Sequence, residues 1–141
     1  MVINGGVKMS TRKTLEQERA SDAWDKINRV NKDEKKYGSL ARGLPAMLQT
    51  NGLGQTLAFL KAKGKGDSDD YHTVLYNHIG QWLNYRIVNV TGTEASDFLG
   101  WLVRQRSDTY RQATTEAIAY SLWLRRFAEA QGWADEEGES Q

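Results

Sequence analysis

Asp108-Thr-Tyr-Arg-Gln-Ala-Thr-Thr-Glu-Ala-Ile-Ala-Tyr-Ser-Leu-Trp-Leu-Arg-Arg-Phe-Ala-Glu-Ala130 is the stretch that decides the fold. Tyr110, Ala113, Thr114, Ala117, Ser121, Leu124 and Ala128 recur at steps of three and four, the period of one helical face. Ile118, Leu122, Trp123 and Phe127 widen the apolar surface on its flanks, so this helix is predicted to be central in a bundle. The small residues on its face would let a neighbouring helix come close, and Gly132 closes it.

Working outward, the same period defines the other segments. A helix is predicted over about Glu94 to Arg106, with Thr93 as N-cap and Ala95, Phe98, Leu99, Trp101 and Leu102 inward. Another runs from Asp69 or Asp70 to about Val88 through Tyr71, Val74, Leu75, Ile79, Trp82 and Tyr85. Ile87 to Val90 could form a scrap of extended chain, too short to found a sheet. Two segments, Tyr37 to Thr50 and Leu53 to Ala62, are separated by the stop Asn51-Gly52, and Pro45 should bend or interrupt the first of them. The earliest helix spans about Thr11 to Asn31, with Ala20, Ala23, Trp24, Ile27 and Val30 on one side. The reading is an all-α protein, a single compact bundle of about six helices over 11–133. A flexible segment over 1–10 and an acidic flexible tail over 134–141 flank it.

The chain of 141 residues is long enough to remove roughly 68–70% of its unfolded surface from water, and five Trp, six Tyr and three Phe supply core material. It has no cysteine, which excludes disulfides and thiolate metal sites. No apolar run approaches the roughly 18 residues of a membrane span, and residues 1–10 lack the apolar stretch of a secretory signal. The expected location is the cytoplasm. The net charge of +1 hides an asymmetry: Asp135, Glu136, Glu137 and Glu139 crowd the end, and setting them aside leaves 19 bases facing 14 acids.

Reactive constellations fail one by one. His72 and His78 are six apart, about 240° around a helix, and cannot share a metal as residues four apart could. His78 falls on an apolar face and reads as a hydrogen-bonded core histidine. Counting from Asp67, a calcium loop would need Gly and Glu where His72 and His78 stand. Gly52-Leu53-Gly54 lacks the rest of any phosphate-binding loop. The expectation is a protein with no catalytic residues, no metal and no cofactor.

Three stretches carry a resemblance. Lys36-Tyr-Gly-Ser-Leu-Ala-Arg-Gly-Leu-Pro45 leads into Gln49-Thr-Asn-Gly-Leu-Gly-Gln-Thr-Leu-Ala-Phe-Leu60, and Tyr110-Arg-Gln-Ala-Thr-Thr-Glu-Ala117 runs on to Trp123-Leu-Arg-Arg-Phe-Ala-Glu-Ala130. In this order the chain resembles the small-subunit family of the Cmr complex, the type III-B CRISPR effector, over about Thr11 to Ala130. The resemblance implies an all-helical, non-catalytic subunit of an antiviral ribonucleoprotein. It would stack in several copies beside the backbone and large subunits, along the channel that holds guide and target RNA.

Guide pairing reads sequence in RNA-guided effectors, so such a protein would need only shape and positive charge towards the RNA backbone. The candidate RNA contacts are Arg12, Arg19 and Lys26 on a stripe of the first helix, Lys36 and Arg42 around the second, and Arg104, Arg106, Arg111, Arg125 and Arg126 late in the chain. Arg42 ranks first because it lies within the most specific stretch. Trp133, just past the last helix, is the candidate protein-interface residue. The alternative function is a protein–protein adaptor without direct RNA contact. A helix-turn-helix regulator lacks a short second helix with base-reading residues, and a hydrolase would require turnover that survives removal of His78.

Overall fold

In the computed structural model, residues 13–89 and 97–133 are described. In chain order they form α1 (Leu15–Ile27), α2 (Glu34–Gly64), α3 (Tyr71–Leu83), a π-helical turn (Asn84–Val88), α4 (Phe98–Leu102) and α5 (Ser107–Ala130). No strand occurs among the described residues. The predicted N-cap Thr93, the core residue Ala95 and the two terminal segments lie outside them.

Local chemistry sets the helix ends. Thr14 caps α1: its hydroxyl accepts the Gln17 amide at 3.1 Å while its own amide donates to the Gln17 side chain at 2.9 Å. Such a box stabilises a helix start by about 1 kcal/mol. Asp70 caps α3 by accepting the His72 amide at 2.7 Å. At the far end of α5, Gly132 takes φ 82°, and the amides of Gly132 and Trp133 return to the carbonyls of Glu129 and Ala128. This is a Schellman closure, which satisfies carbonyls that the helix leaves open.

α5 is central as its pattern predicts, packing on α1, α2 and α3. Ala113, Ala117, Tyr120, Ser121, Leu124 and Ala128 are buried along it. Trp82 of α3 stacks on Tyr120 of α5, with ring centres 5.1 Å apart and planes within 7°. Glu116, buried on α5, accepts from the Arg19 guanidinium at 2.7 and 2.9 Å and from the Trp82 indole at 2.9 Å. One carboxylate therefore ties α1 and α3 to α5. Burial raises the pKa of Glu116, but the Arg19 and Trp82 hydrogen bonds outweigh it and the net shift is downward.

Three expectations need correction. Pro45 interrupts nothing: it is buried, α2 runs on past it, and the only non-helical backbone within α2 is at Gly52, with φ 84° and ψ 167°. The stop expected at Asn51-Gly52 is there, and the two segments expected on either side of it are the two helical stretches of α2 that meet at this kink. Ile87 and Val88 are not extended chain but the end of the π-helical turn, in which the Asn89 amide reaches back to the Asn84 carbonyl. That winding lets two consecutive apolar side chains, Ile87 and Val88, both enter the core. The helix expected through Arg106 has Leu102 as its last helical residue, because residues 103–105 turn the chain into α5.

Candidate nucleic-acid interface

The stripe on α1 does not face solvent. Arg19 is held by Glu116, and the same contact raises its pKa. Lys26 is 6% exposed, bound to the Asp22 carboxylate, with its ammonium 5.6 Å from the centre of the Tyr120 ring. Asp22 also accepts the Tyr120 hydroxyl at 2.5 Å, so both cations serve the α1–α5 contact. Arg12 lies outside the described residues.

The remaining candidates divide into two groups. At the α4–α5 junction, Arg104, Arg106 and Arg111 are exposed. Arg104 keeps one hydrogen bond, to the Gly100 carbonyl at 2.9 Å, and Arg106 lies 3.7 Å from Asp108. Towards the other end of α5, Arg125 and Arg126 share Glu129 at 3.3 and 3.1 Å. At 1.5 Å per residue, Arg111 and Arg125 are separated by about 21 Å along the helix. Lys36 is exposed in the first turn of α2, whereas Arg42 is half-buried and engaged within the fold.

Lys36 does not stand alone. Arg29, Lys32 and Lys35 are exposed beside it around the α1–α2 turn, and no side-chain partner engages them among the described residues. Sequence reasoning passed over these three because their local density means little until the fold brings the end of α5 alongside. There Gln131 donates to the Asn28 side chain at 3.3 Å. Trp133 meets the ring of Tyr37 edge to face at 6.3 Å, so it closes the bundle end and is only partly exposed.

Larger apolar exposure lies elsewhere. Trp24 (42% exposed) leans on Phe127, which in turn contacts Trp123; Tyr85 and Leu122 are also about half exposed. The Nδ1 atom of His78 shares a hydrogen bond with the Tyr37 hydroxyl at 2.8 Å, and burial lowers the histidine pKa to about 4. Burial pushes the Tyr37 hydroxyl up, so both groups are neutral at neutral pH. No set of three or more His, Asp or Glu converges on a possible metal position among the described residues. Nor is any helix there long and apolar enough to cross a membrane.

A family model described as "CRISPR-associated protein (Cas_Cmr5)" matches residues 15–131. The CRISPR system Cmr subunit Cmr5 of Thermus thermophilus is 31% identical over 120 residues, covering 84% of this chain and 96% of that one. Its namesake in Thermotoga maritima is 31% identical over 121 residues, covering 83% and 84%. An X-ray crystal structure of a CRISPR-associated Cmr5 family protein, also from Thermus thermophilus, superposes with a TM-score of 0.66 at 26% identity, covering 84% of this chain and 97% of the other.

Proposed function

From the premise that the chain belongs to the Cmr5 family, the small subunit of the type III-B Cmr complex, we propose that it is a non-catalytic scaffold in antiviral defence, one that stacks along the complex and touches guide and target RNA through their phosphates. Its partners are the other Cmr subunits, among them the backbone and large subunits, together with further copies of itself. The observation that carries the RNA part is the pair of exposed cation groups, Arg104, Arg106 and Arg111 at one end and Lys36 with its neighbours at the other. Long, solvated cations suit phosphates without reading sequence. Arg125 and Arg126 can join them by exchanging Glu129 for a phosphate; Arg42 would have to leave its place in the fold. Arg19 and Lys26 support the surface from behind, as part of the α1–α5 contact.

The test is target capture by a reconstituted Cmr complex. Charge reversal at Lys36 and Arg111 together should weaken target RNA binding about tenfold or more at moderate salt, while the isolated subunit keeps its thermal midpoint. Unchanged target affinity would sink the RNA role of these residues. The adaptor reading is favoured by the exposed Trp24, Tyr85 and Leu122, since apolar surface of that kind seats protein partners. Photoreactive target RNA separates the two readings: crosslinks to this subunit support the scaffold, and their absence supports the adaptor.

A further inference from the structure

The α1–α2 turn presents Arg29, Lys32, Lys35 and Lys36 to solvent, with no side-chain partner among the described residues. Asp33 and Glu34 interleave, leaving four bases against two acids. Asp33 makes no side-chain capping bond, and neither Asp33 nor Glu34 forms an ion pair with a neighbouring lysine among the described residues. An uncompensated cluster of this kind is a receptor for a carboxylate-rich segment.

Such a segment leaves the bundle at this same place. α5 closes against the turn through Gln131 and Asn28, and Trp133 packs on Tyr37, the residue next to Lys36. Two residues beyond Trp133 begin Asp135-Glu136-Glu137-Gly138-Glu139. An extended chain covers at most about 3.3–3.6 Å per residue, so Glu139 can lie up to about 20 Å from Trp133, enough to follow the turn. The tail carries no base that could satisfy its acids internally.

We propose that the acidic residues 135–139 of this chain occupy the basic α1–α2 turn in the free protein, and that RNA reaches the turn by displacing them. The displacement half rests on the RNA reading above; the docking half does not. A segment tethered a few residues away is present at an effective concentration on the order of mM, so even a weak contact is populated. If the segment's own affinity matches that concentration, RNA binding is weakened about twofold; if it is ten times tighter, about tenfold. The tail would then keep lone copies off unrelated RNA, while a correctly placed phosphate backbone in the assembly competes it away.

Two measurements test this on the full chain, on a chain ending at Trp133 and on the neutralised variant D135N/E136Q/E137Q/E139Q. Carbodiimide, which joins carboxylates to amines only in contact, should link the tail acids to Lys32, Lys35 or Lys36 within one chain at every protein concentration. Affinity for single-stranded poly(U) at low salt should rise about two- to tenfold in both altered forms. Absence of those crosslinks overturns the proposal, as do crosslinks that form only between two chains and grow with concentration. Intramolecular crosslinks with equal RNA affinity in all three forms overturn the displacement. Crosslinks with no RNA bound by any form support the docking and defeat the RNA reading instead.

Discussion

His78 is held neutral by its surroundings: burial lowers its pKa to about 4, with Lys26 and Arg29 pushing the same way and Asp22 opposing them. In the unfolded chain the ring would titrate near 6.5. Because the folded value is depressed, the unfolded state binds the proton first as pH falls. The associated stability is complete above about pH 6.5, is lost between about 6.5 and 4, and reaches a total of up to about 3 kcal/mol. Glu116, shifted down from its ordinary 4.5, contributes only at lower pH. H78Q keeps an acceptor for the Tyr37 hydroxyl but cannot titrate. Urea unfolding of H78Q should therefore show a much flatter dependence from pH 7 to 4.5 than the parent chain. An identical slope in the two would mean that another group governs acid sensitivity.

At the scale of elements, the kink in α2 is built by two glycines and a tyrosine from a distant helix. Gly52 supplies the positive φ that lets α2 change direction. The break frees the Gly54 amide, which donates to the Tyr110 hydroxyl at 2.8 Å. A Cβ at position 54 would lie 2.6 Å from that hydroxyl but 3.5 Å from the next ring carbon. G54A alone should therefore cost about 1–3 kcal/mol through overpacking, and Y110F about 1 kcal/mol through the lost acceptor. In the Y110F background, the added methyl meets only ordinary contacts, so the double variant should cost clearly less than the sum. Additive losses in urea titrations would show that the hydroxyl does not set the limit. The Asn51-Gly52 stop, the α5 face and the Asp70 cap were all legible in the sequence, because each is a local pattern of period or capping. The Gly54–Tyr110 tie was not legible, since the partners are 56 residues apart. The tolerance of Pro45 was hidden for a related reason: only the bundle shows that it is buried. The α1 stripe shows the limit most plainly. Its seven-residue spacing fixes that Arg19 and Lys26 share a side, but only Glu116, 97 residues away, decides that Arg19 there faces protein rather than water.

For the whole molecule, charge distribution matters more than net charge. A formal +1 suggests little attraction for a polyanion, yet exposed cations stand near both ends of α5 while Glu116 and Asp22 are engaged within the fold and four more acids lie in the tail. Counterion release makes this arrangement measurable, because log affinity falls with log salt by about 0.7 per phosphate contacted on a single strand. If Lys36, Arg104, Arg106 and Arg111 each hold one phosphate, the isolated chain should show a slope of about −2.8. R104Q/R111Q should flatten that slope by about 1.4, and K36Q by about 0.7. R19Q should leave the slope unchanged, although it lowers stability, because its guanidinium is committed to Glu116. The last comparison discriminates most sharply. A slope that flattens in R19Q would mean that RNA binding opens the α1–α5 clamp, whereas an unchanged slope means that RNA rests on the outside of an intact bundle.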